Sequence, residues 1–205
     1  EIGWIHWVFG HLAWIVLGII ALSWLASARR SKKAAAAVPL VQEVLAPHQA
    51  GRLDEAIGSY YKAIAVRPLP DALFLRADAH LAKGEPLKAV ADYSMIIKAQ
   101  SKNADALFRR AGVLAGLQRH DEALADLNRV AKIEKKNPDV LLARGEVQAA
   151  KGADQRALAD FDAALAANAE RADILSARAS VYERLGDSAK AAADRAAASR
   201  ISERQ

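Results

Sequence analysis

Two histidines near the start of the chain are the residues best suited to hold a cofactor. His6 and His11 lie in an apolar stretch in which residues 5–25 include no Asp, Glu, Lys or Arg. Ionisable residues in such a stretch are functional candidates, and either imidazole could be the single axial ligand of a haem or a chlorophyll-type pigment. Their spacing separates them by about 140° around a helix, so they cannot share one metal ion. The more common role of such residues is structural, and this is the interpretation we favour: His6 would lie at the interface beside Trp4 and Trp7, and His11 would hydrogen-bond a neighbouring helix.

The rest of the sequence contains no catalytic arrangement. The chain has no cysteine, which excludes disulfides, thiolate metal sites and cysteine nucleophiles. It has no phosphate-binding glycine loop, no His-Glu-x-x-His motif and no nucleophile elbow. The remaining histidines, His48, His80 and His120, are far apart in the sequence. We therefore expect a protein that is not an enzyme, binds no metal and has no cofactor other than one held by His6 or His11.

Arginine and aspartate recur along the chain with a period of 34 residues. Each of four arginines precedes an aspartate by 16 residues: Arg76 and Asp92, Arg110 and Asp126, Arg144 and Asp160, Arg178 and Asp194. Such columns could bind a charged ligand, but pairs at a constant separation are better explained as ion pairs between helices, within or between repeats. Taken as surface pairs they would contribute about 0–1 kcal/mol each, so their expected role is to set helix register.

A 34-residue period is the signature of stacked helix–turn–helix units. An alanine recurs at 89, 123, 157 and 191, and a large side chain follows it at Tyr93, Leu127 and Phe161. Glycine recurs at 84, 152 and 186, with Gln118 in the equivalent place of the remaining unit. In this pattern residues 37–205 resemble tetratricopeptide (TPR) repeats. The resemblance implies an all-α TPR superhelical solenoid of about five repeats: repeat 1, 37–69; repeat 2, 70–103; repeat 3, 104–137; repeat 4, 138–171; repeat 5, 172–205.

The resemblance also implies a surface for a protein partner. In TPR proteins the first helix of each repeat lines a concave face, which here would hold Asp71, Phe74, Asp78, Leu81, Asp105, Phe108, Asp139, Leu142 and Glu146, followed by Asp173, Ser176, Ser180 and Glu183. Phe74, Phe108 and Leu142 form an apolar stripe among acidic residues. Such a surface suits an amphipathic helix or an extended segment with basic residues. Alternatively, the stripe residues only pack between helices. The Lys, Asn and Arg set with which chaperone-binding relatives hold a C-terminal carboxylate is missing, so that partner class is not expected.

Residues 1–28 are predicted to form one transmembrane helix. About 20 apolar residues are enough to cross a bilayer, and Trp4, Trp7 and Trp24 mark the two ends of the run. The basic juxtamembrane segment 29–36 follows, with Arg29, Arg30, Lys32 and Lys33. By the positive-inside rule the N-terminus is outside, in the periplasm, and the repeats are cytoplasmic. A cleaved signal peptide is the alternative, but its charges would precede a shorter apolar core.

Small residues in this segment suggest a membrane partner. Gly3, Gly10, Gly18 and Ala21 form a narrow strip that lets another helix approach closely. The net charge of +5 owes four units to the basic juxtamembrane segment, so the rest of the chain is close to neutral. Nucleic-acid binding is therefore not expected.

Together these features predict a single-pass membrane scaffold, as an accessory subunit or assembly factor of a multi-subunit membrane complex. One partner would pack beside the anchor, and a soluble or peripheral partner would bind the concave face. Two alternatives remain open. The order of anchor, basic segment and repeats is similar to that of bacterial lipopolysaccharide-assembly proteins, which implies a regulatory adaptor in envelope biogenesis, although those proteins carry a cysteine-rich metal module. The other alternative is a pigment- or haem-associated subunit.

Overall fold

The computed structural model describes residues 52–66 and 69–204, and these residues are entirely α-helices and short connections, as the all-α prediction requires. The helices are α1 (Leu53–Val66), α2 (Pro70–Ala82), α3 (Pro86–Ala99), α4 (Ala104–Gly116), α5 (His120–Ile133), α6 (Pro138–Ala150), α7 (Asp154–Ala167), α8 (Ala172–Arg184) and α9 (Ser188–Ser202). The chain divides into two compact parts, residues 1–75 and 76–205. The contacts below all lie in the second part.

The two helices of repeats 3, 4 and 5 pack closely on each other. These pairs are α4 with α5, α6 with α7 and α8 with α9. Each second helix also packs on the first helix of the next repeat, as α3 does on α4 and α5 does on α6. The first helices also contact one another directly, α4 with α6 and α6 with α8. We call the surface formed by the first helices the inner face, and the surface formed by the second helices the outer face.

The first helices of repeats 2 to 5 end in the same left-handed turn. Three glycines occupy it, with φ of +72°, +76° and +80° at Gly84, Gly152 and Gly186. Gln118 takes the equivalent place with φ of +61°. Its N–H donates to the carbonyl of Ala115 at 3.0 Å, and the N–H of Arg119 donates to the carbonyl of Leu114 at 2.9 Å. This pair of bonds is a Schellman motif, so Gln118 adopts a conformation that glycine reaches at lower cost.

The core follows the predicted alternation of small and large residues. The alanines at 89, 123, 157 and 191 are buried, and so are Tyr93, Leu127 and Phe161. The closest approach is at Gly145 on α6. A Cβ atom added there would lie 2.5 Å from Cε1 of Phe161, so only glycine fits beside that ring as it is placed.

The four arginine–aspartate pairs join the two helices of repeats 2 to 5. In repeat 3, Nε and Nη2 of Arg110 donate to the two carboxylate oxygens of Asp126 at 2.7 and 2.8 Å. The other three pairs share this bidentate geometry. All four carboxylates are buried, so the expectation of surface pairs was wrong. Removing one partner would leave a charge in a poorly hydrated place, which costs far more than losing a surface pair.

The third guanidinium nitrogen extends three of the four pairs into links between repeats. Nη1 donates to a side chain 16 residues earlier, on the second helix of the preceding repeat: Arg110 to Ser94 at 2.8 Å, Arg144 to Asn128 at 3.1 Å and Arg178 to Asp162 at 2.6 Å. Each of these arginines therefore ties together three helices from two repeats. Its donors are directed at side chains of the same chain, which leaves the columns little capacity to bind a charged ligand.

Candidate functional site

Three of the predicted partner-binding residues come together in one cleft on the inner face. Asp105 and Phe108 lie on α4, and Asp139 lies on α6. With Ala104, Val130, Glu134, Asn137 and Val140 they line a cleft of about 180 Å³. This volume is below the usual range for small-molecule pockets. The cleft is of a size to accept one side chain of a protein partner.

Phe108 serves both the core and the cleft. Its ring is partly buried and packs against the cluster of Ala111, Leu114, Ala123, Leu127 and Val147. The same residue also contributes to the wall of the cleft. Leu142 on α6 is likewise partly buried and packs against the next cluster, which includes Phe161 and Ile174. Packing between helices therefore accounts for much of the predicted apolar stripe.

Two arginines that were not predicted lie among the acidic residues of the inner face. Arg109 donates from Nε to Asp105 at 2.8 Å, and its Nη1 lies 3.5 Å from Asp78. Arg171 binds Asp173 with two nitrogens at 2.9 and 2.7 Å, and its Nη1 donates to Asp139 at 2.8 Å. Because each arginine is shared by two carboxylates, each group of three keeps one excess negative charge.

Contacts on this face shift the pKa of one carboxyl, that of Asp173, and of the buried Tyr93. The hydrogen bonds from Arg171 hold the pKa of Asp173 below its usual range. Tyr93 donates from its hydroxyl to Asp78 at 3.3 Å. Burial, with the negative charge of Asp78 as a further cause, raises the pKa of Tyr93 to about 12. At neutral pH Asp173 is thus a charged acceptor and Tyr93 is a neutral donor.

Glu146 is an inner-face acid whose pKa is raised. Its side chain is exposed at the surface, yet partial desolvation raises the pKa of its carboxyl, and the charge of Asp173 adds to the effect. A carboxylate that is poorly solvated and next to another negative charge gains most from a positively charged partner. Glu146 therefore adds to the acidic character of the surface beyond the cleft.

The other predicted residues of this face fall outside the cleft. Leu81 is exposed near the end of α2. Asp71 is exposed and Phe74 partly buried on α2, and both belong to the first compact part, 1–75. The hydroxyls of Ser176 and Ser180 donate to carbonyls of their own helix, at 2.8 and 3.0 Å. They are therefore committed to α8 itself.

The described residues contain no arrangement for metal chemistry. Within 52–66 and 69–204 no three His, Asp or Glu side chains come together as metal ligands. The buried His80 has a structural contact, with Nδ1 2.7 Å from Oε2 of Glu85, and this hydrogen bond lowers the pKa of Glu85. No helix in those ranges is both long and apolar enough to cross a bilayer.

The predictions for the N-terminal segment lie outside the described residues. They concern the transmembrane helix 1–28, the cofactor candidates His6 and His11, the helix-packing strip Gly3, Gly10, Gly18 and Ala21, and the basic residues Arg29, Arg30, Lys32 and Lys33. All of them stay predictions.

The sequence carried a signal for the two inner-face arginines. Arg109 follows Asp105 by four residues on one helix, a spacing that brings side chains together, and Arg171 precedes Asp173 by two. Tyr93 was expected only as a core residue, and its hydrogen bond to Asp78 on the other helix of repeat 2 was not predicted.

Comparison with known proteins identifies the repeats. Residues 48–104 and 74–140 match the family model described as tetratricopeptide repeat. A crystal structure of MamA is similar at 17% identity and a TM-score of 0.72, covering 77% of this chain and 93% of the other. MamA from Desulfovibrio magneticus RS-1 is similar at 16% identity and a TM-score of 0.76, covering 82% and 96%. No curated protein matches the chain.

Two further structures have the same fold. YrrB, described as a TPR protein with an unusual peptide-binding site, is 20% identical with a TM-score of 0.68, covering 80% of this chain and 86% of the other. PilF of Pseudomonas aeruginosa is also 20% identical with a TM-score of 0.68, covering 82% and 78%. At such identities the likeness concerns the fold alone. The helices of this chain form an array of tetratricopeptide repeats.

Proposed function

We propose that this protein is a membrane-anchored scaffold whose inner face binds a segment of a protein partner. The observation that carries the proposal is the cleft whose lining includes Phe108 and the two acids Asp105 and Asp139. TPR arrays are protein-interaction folds, and YrrB, which has this fold, is described as having a peptide-binding site. The cleft would take one side chain of the bound segment.

The charge of the inner face defines the chemistry of that segment. Arg109 and Arg171 each neutralise only one of the two acids that they contact, and Glu146 adds a carboxylate that a positive charge would stabilise. The apolar part of the cleft is small. The proposed ligand is therefore an extended or helical segment with one apolar residue flanked by lysine or arginine.

The proposed anchor determines where the scaffold works. Residues 1–28 would cross the membrane with the N-terminus in the periplasm, which leaves the repeats in the cytoplasm. The strip of Gly3, Gly10, Gly18 and Ala21 would pack against a membrane protein. A protein that grips one partner in the membrane and another beside it is suited to be an accessory subunit or an assembly factor of a membrane complex.

Charge substitutions in the cleft test the proposal. The full chain, tagged at its C-terminus, is purified from membranes in mild detergent, and we expect one membrane complex at constant stoichiometry. The double variant Asp105→Asn and Asp139→Asn should weaken retention of the soluble partner about tenfold, which corresponds to about 1.4 kcal/mol. The control is Asp121→Asn and Asp154→Asn, which removes two other acids, paired with Lys151 and Arg184.

The control should bind as the unmodified chain does, and circular dichroism should show equal helix content in both variants. Equal retention by the two variants would show that the cleft is not the binding site. A mixture of substoichiometric partners would contradict the subunit role. A reporter fused to the C-terminus tests the orientation, and a periplasmic signal would overturn it.

A further inference from the structure

Exposed lysines crowd the turns that follow the second helices of repeats 2 and 3. We define the basic edge as Lys98, Lys102, Arg129, Lys132, Lys135 and Lys136. The five lysines are all exposed. None of them has an ion-pair partner within the part of the chain that the structure describes. Their charges are therefore available to an outside ligand.

The two turns form one continuous surface. Nη2 of Arg129, near the end of α5, donates to the carbonyl of Ser101 in the turn after α3 at 2.6 Å. This contact brings the lysines of repeat 2 next to those of repeat 3. The glycine-type turns that end the first helices lie at the opposite end of each helix pair. The positive charge is thus concentrated at one end of the array.

The acids near this edge do not cancel its charge. Glu134 is the exposed acid within it and accepts a hydrogen bond from Asn137 at 2.7 Å. Asp126 is buried against Arg110, and Nη1 of Arg129 lies 3.7 Å from it. Asp105 and Asp139 begin the adjacent first helices, and each shares one arginine with a second carboxylate, so each group keeps one negative charge. Five lysines without an ion-pair partner thus outnumber the charge of Glu134 and the one negative charge that each of these two groups keeps, so the edge stays net positive within the described residues.

The charge is a property of these two repeats and not of the repeat pattern. In repeat 4 the places equivalent to Lys132, Lys135 and Lys136 hold Ala166, Ala169 and Glu170. Helix ends and turns form there without any lysine. Nothing in the folding of a turn explains why two neighbouring turns carry five lysines.

One exposed aliphatic residue indicates the kind of partner. Ile133 lies between Lys132 and Glu134 and is 42% exposed. An aliphatic side chain surrounded by lysines suits the interface of an anionic bilayer, where the apolar group enters and the ammonium groups contact headgroups. Single-stranded nucleic acid would call for aromatic stacking platforms, and the basic edge has no aromatic residue. We propose that the basic edge docks on a membrane of anionic lipid and holds the array with this end against the bilayer.

The proposal goes beyond the scaffold function, because it states which end of the repeats faces the lipid and does not require the predicted anchor. The absence of cysteine permits a direct test with the full chain. Ser101→Cys carries a fluorophore on the basic edge, and Ser188→Cys carries it near the opposite end as a position control. The labelled chains are mixed with vesicles that hold a headgroup quencher, made of phosphatidylcholine alone or with one part in three phosphatidylglycerol.

We expect quenching of the label at 101 to be about threefold stronger on the anionic vesicles and to fall as salt is added, because salt screens the attraction. The label at 188 should not respond. The quadruple variant Lys102→Glu, Lys132→Glu, Lys135→Glu and Lys136→Glu should abolish the difference between the two lipids. A charge-matched control, Lys62→Glu, Arg156→Glu, Arg200→Glu and Arg204→Glu, should retain it.

Flotation of the same vesicles separates this proposal from the anchor. A chain that floats on both lipids without lipid-dependent quenching overturns the docking surface and leaves the anchor standing. A chain that floats only on anionic vesicles, with salt-sensitive quenching, supports the docking surface and contradicts the anchor. Flotation on neither overturns both. Salt-sensitive binding of a single-stranded oligonucleotide, lost in the quadruple variant and without quenching on vesicles, would assign the edge to nucleic acid instead.

Discussion

Replacing Asp160 by asparagine tests whether the ladder of arginine–aspartate pairs stabilises the array. The carboxylate of Asp160 is buried and accepts two hydrogen bonds from Arg144, at 2.8 and 2.5 Å. The third donor of Arg144 reaches only the neutral amide of Asn128, at 3.1 Å. The substitution therefore leaves a partly buried guanidinium without any carboxylate in this ladder. Breaking a fully buried pair costs about 3–5 kcal/mol, and the partial exposure of Arg144 lowers our expectation to about 3 kcal/mol.

The chain itself offers the compensating substitution. One repeat later, Arg178 binds Asp194 in the same way, but its third donor meets the carboxylate of Asp162 at 2.6 Å. Asn128→Asp would give Arg144 the same second carboxylate. In that background Asp160→Asn should cost only about 1–2 kcal/mol, because the guanidinium keeps a charged partner. Both measurements are made at one place in the array, so fraying at the end of the chain does not enter the comparison.

Urea unfolding of the full chain in detergent, followed by the helical circular dichroism signal, measures these differences. The slope m must stay constant among the four proteins of the cycle, since repeat arrays can unfold in parts. A coupling of about 1–2 kcal/mol between positions 128 and 160 is expected. A cost below about 0.5 kcal/mol for Asp160→Asn, the level of a surface pair, would refute the assignment of the ladder as a buried stabilising element.

Three further predictions concern the core and the turns. Gly145→Ala should destabilise by about 1–3 kcal/mol, because the new methyl meets the ring of Phe161. Gln118→Gly should stabilise by about 0.5–1 kcal/mol, because it relieves a positive φ. Tyr93 should titrate at about pH 12 in the folded chain, because burial raises its pKa. Above pH 10 the unfolded chain loses this proton first, so the free energy of unfolding should fall by about 2–3 kcal/mol as the pH approaches 12.

Each of these has a matched control in the same chain. Phe161→Leu should relieve Gly145→Ala, because repeat 3 combines alanine with leucine at the equivalent places; failure of the rescue would mean that the ring is not the cause. Gly152→Gln should destabilise the array, whereas Gln118→Gly should stabilise it. If both substitutions shift the urea midpoint in the same direction, the positive φ of this turn is not what determines the effect. Tyr93→Phe should remove the late phase from the absorbance titration of tyrosinate, and a phase that persists belongs to another tyrosine.

The sequence was sufficient to predict the helical repeats, because the residues that define a repeat act through their immediate neighbours. A glycine two residues past a helix end forms the same turn in each repeat that has one, and an alanine opposite a large side chain makes the same close contact. Gln118 shows how far this extends, since the period alone placed it in the left-handed turn although glutamine rarely adopts that conformation. The cleft was less predictable. Asp105, Phe108 and Asp139 were assigned to a binding face, but their enclosure depends on how closely α4 approaches α6, and spacing within one helix does not determine this.

The burial of the ladder could not be inferred from residue types, because the same arginine–aspartate spacing fits an exposed pair or a buried one. The residue types also hide the second contact of Arg110, Arg144 and Arg178, 16 residues back. That contact is made by serine, asparagine and aspartate in successive repeats. Because the residue type differs in each repeat, the sequence shows no recurring pattern at this position. The three side chains share only an oxygen atom that accepts a hydrogen bond.

The links between repeats can therefore differ in strength one by one, while the arginine–aspartate pair within each repeat stays the same. We therefore expect the link at Arg178, which has two carboxylates, to be the strongest of the three. The link at Arg110, which has one carboxylate and the hydroxyl of Ser94, should be the weakest. Hydrogen exchange of the backbone amides, read as opening free energies, should follow that order once Asn128→Asp has been shown to strengthen the link between repeats 3 and 4.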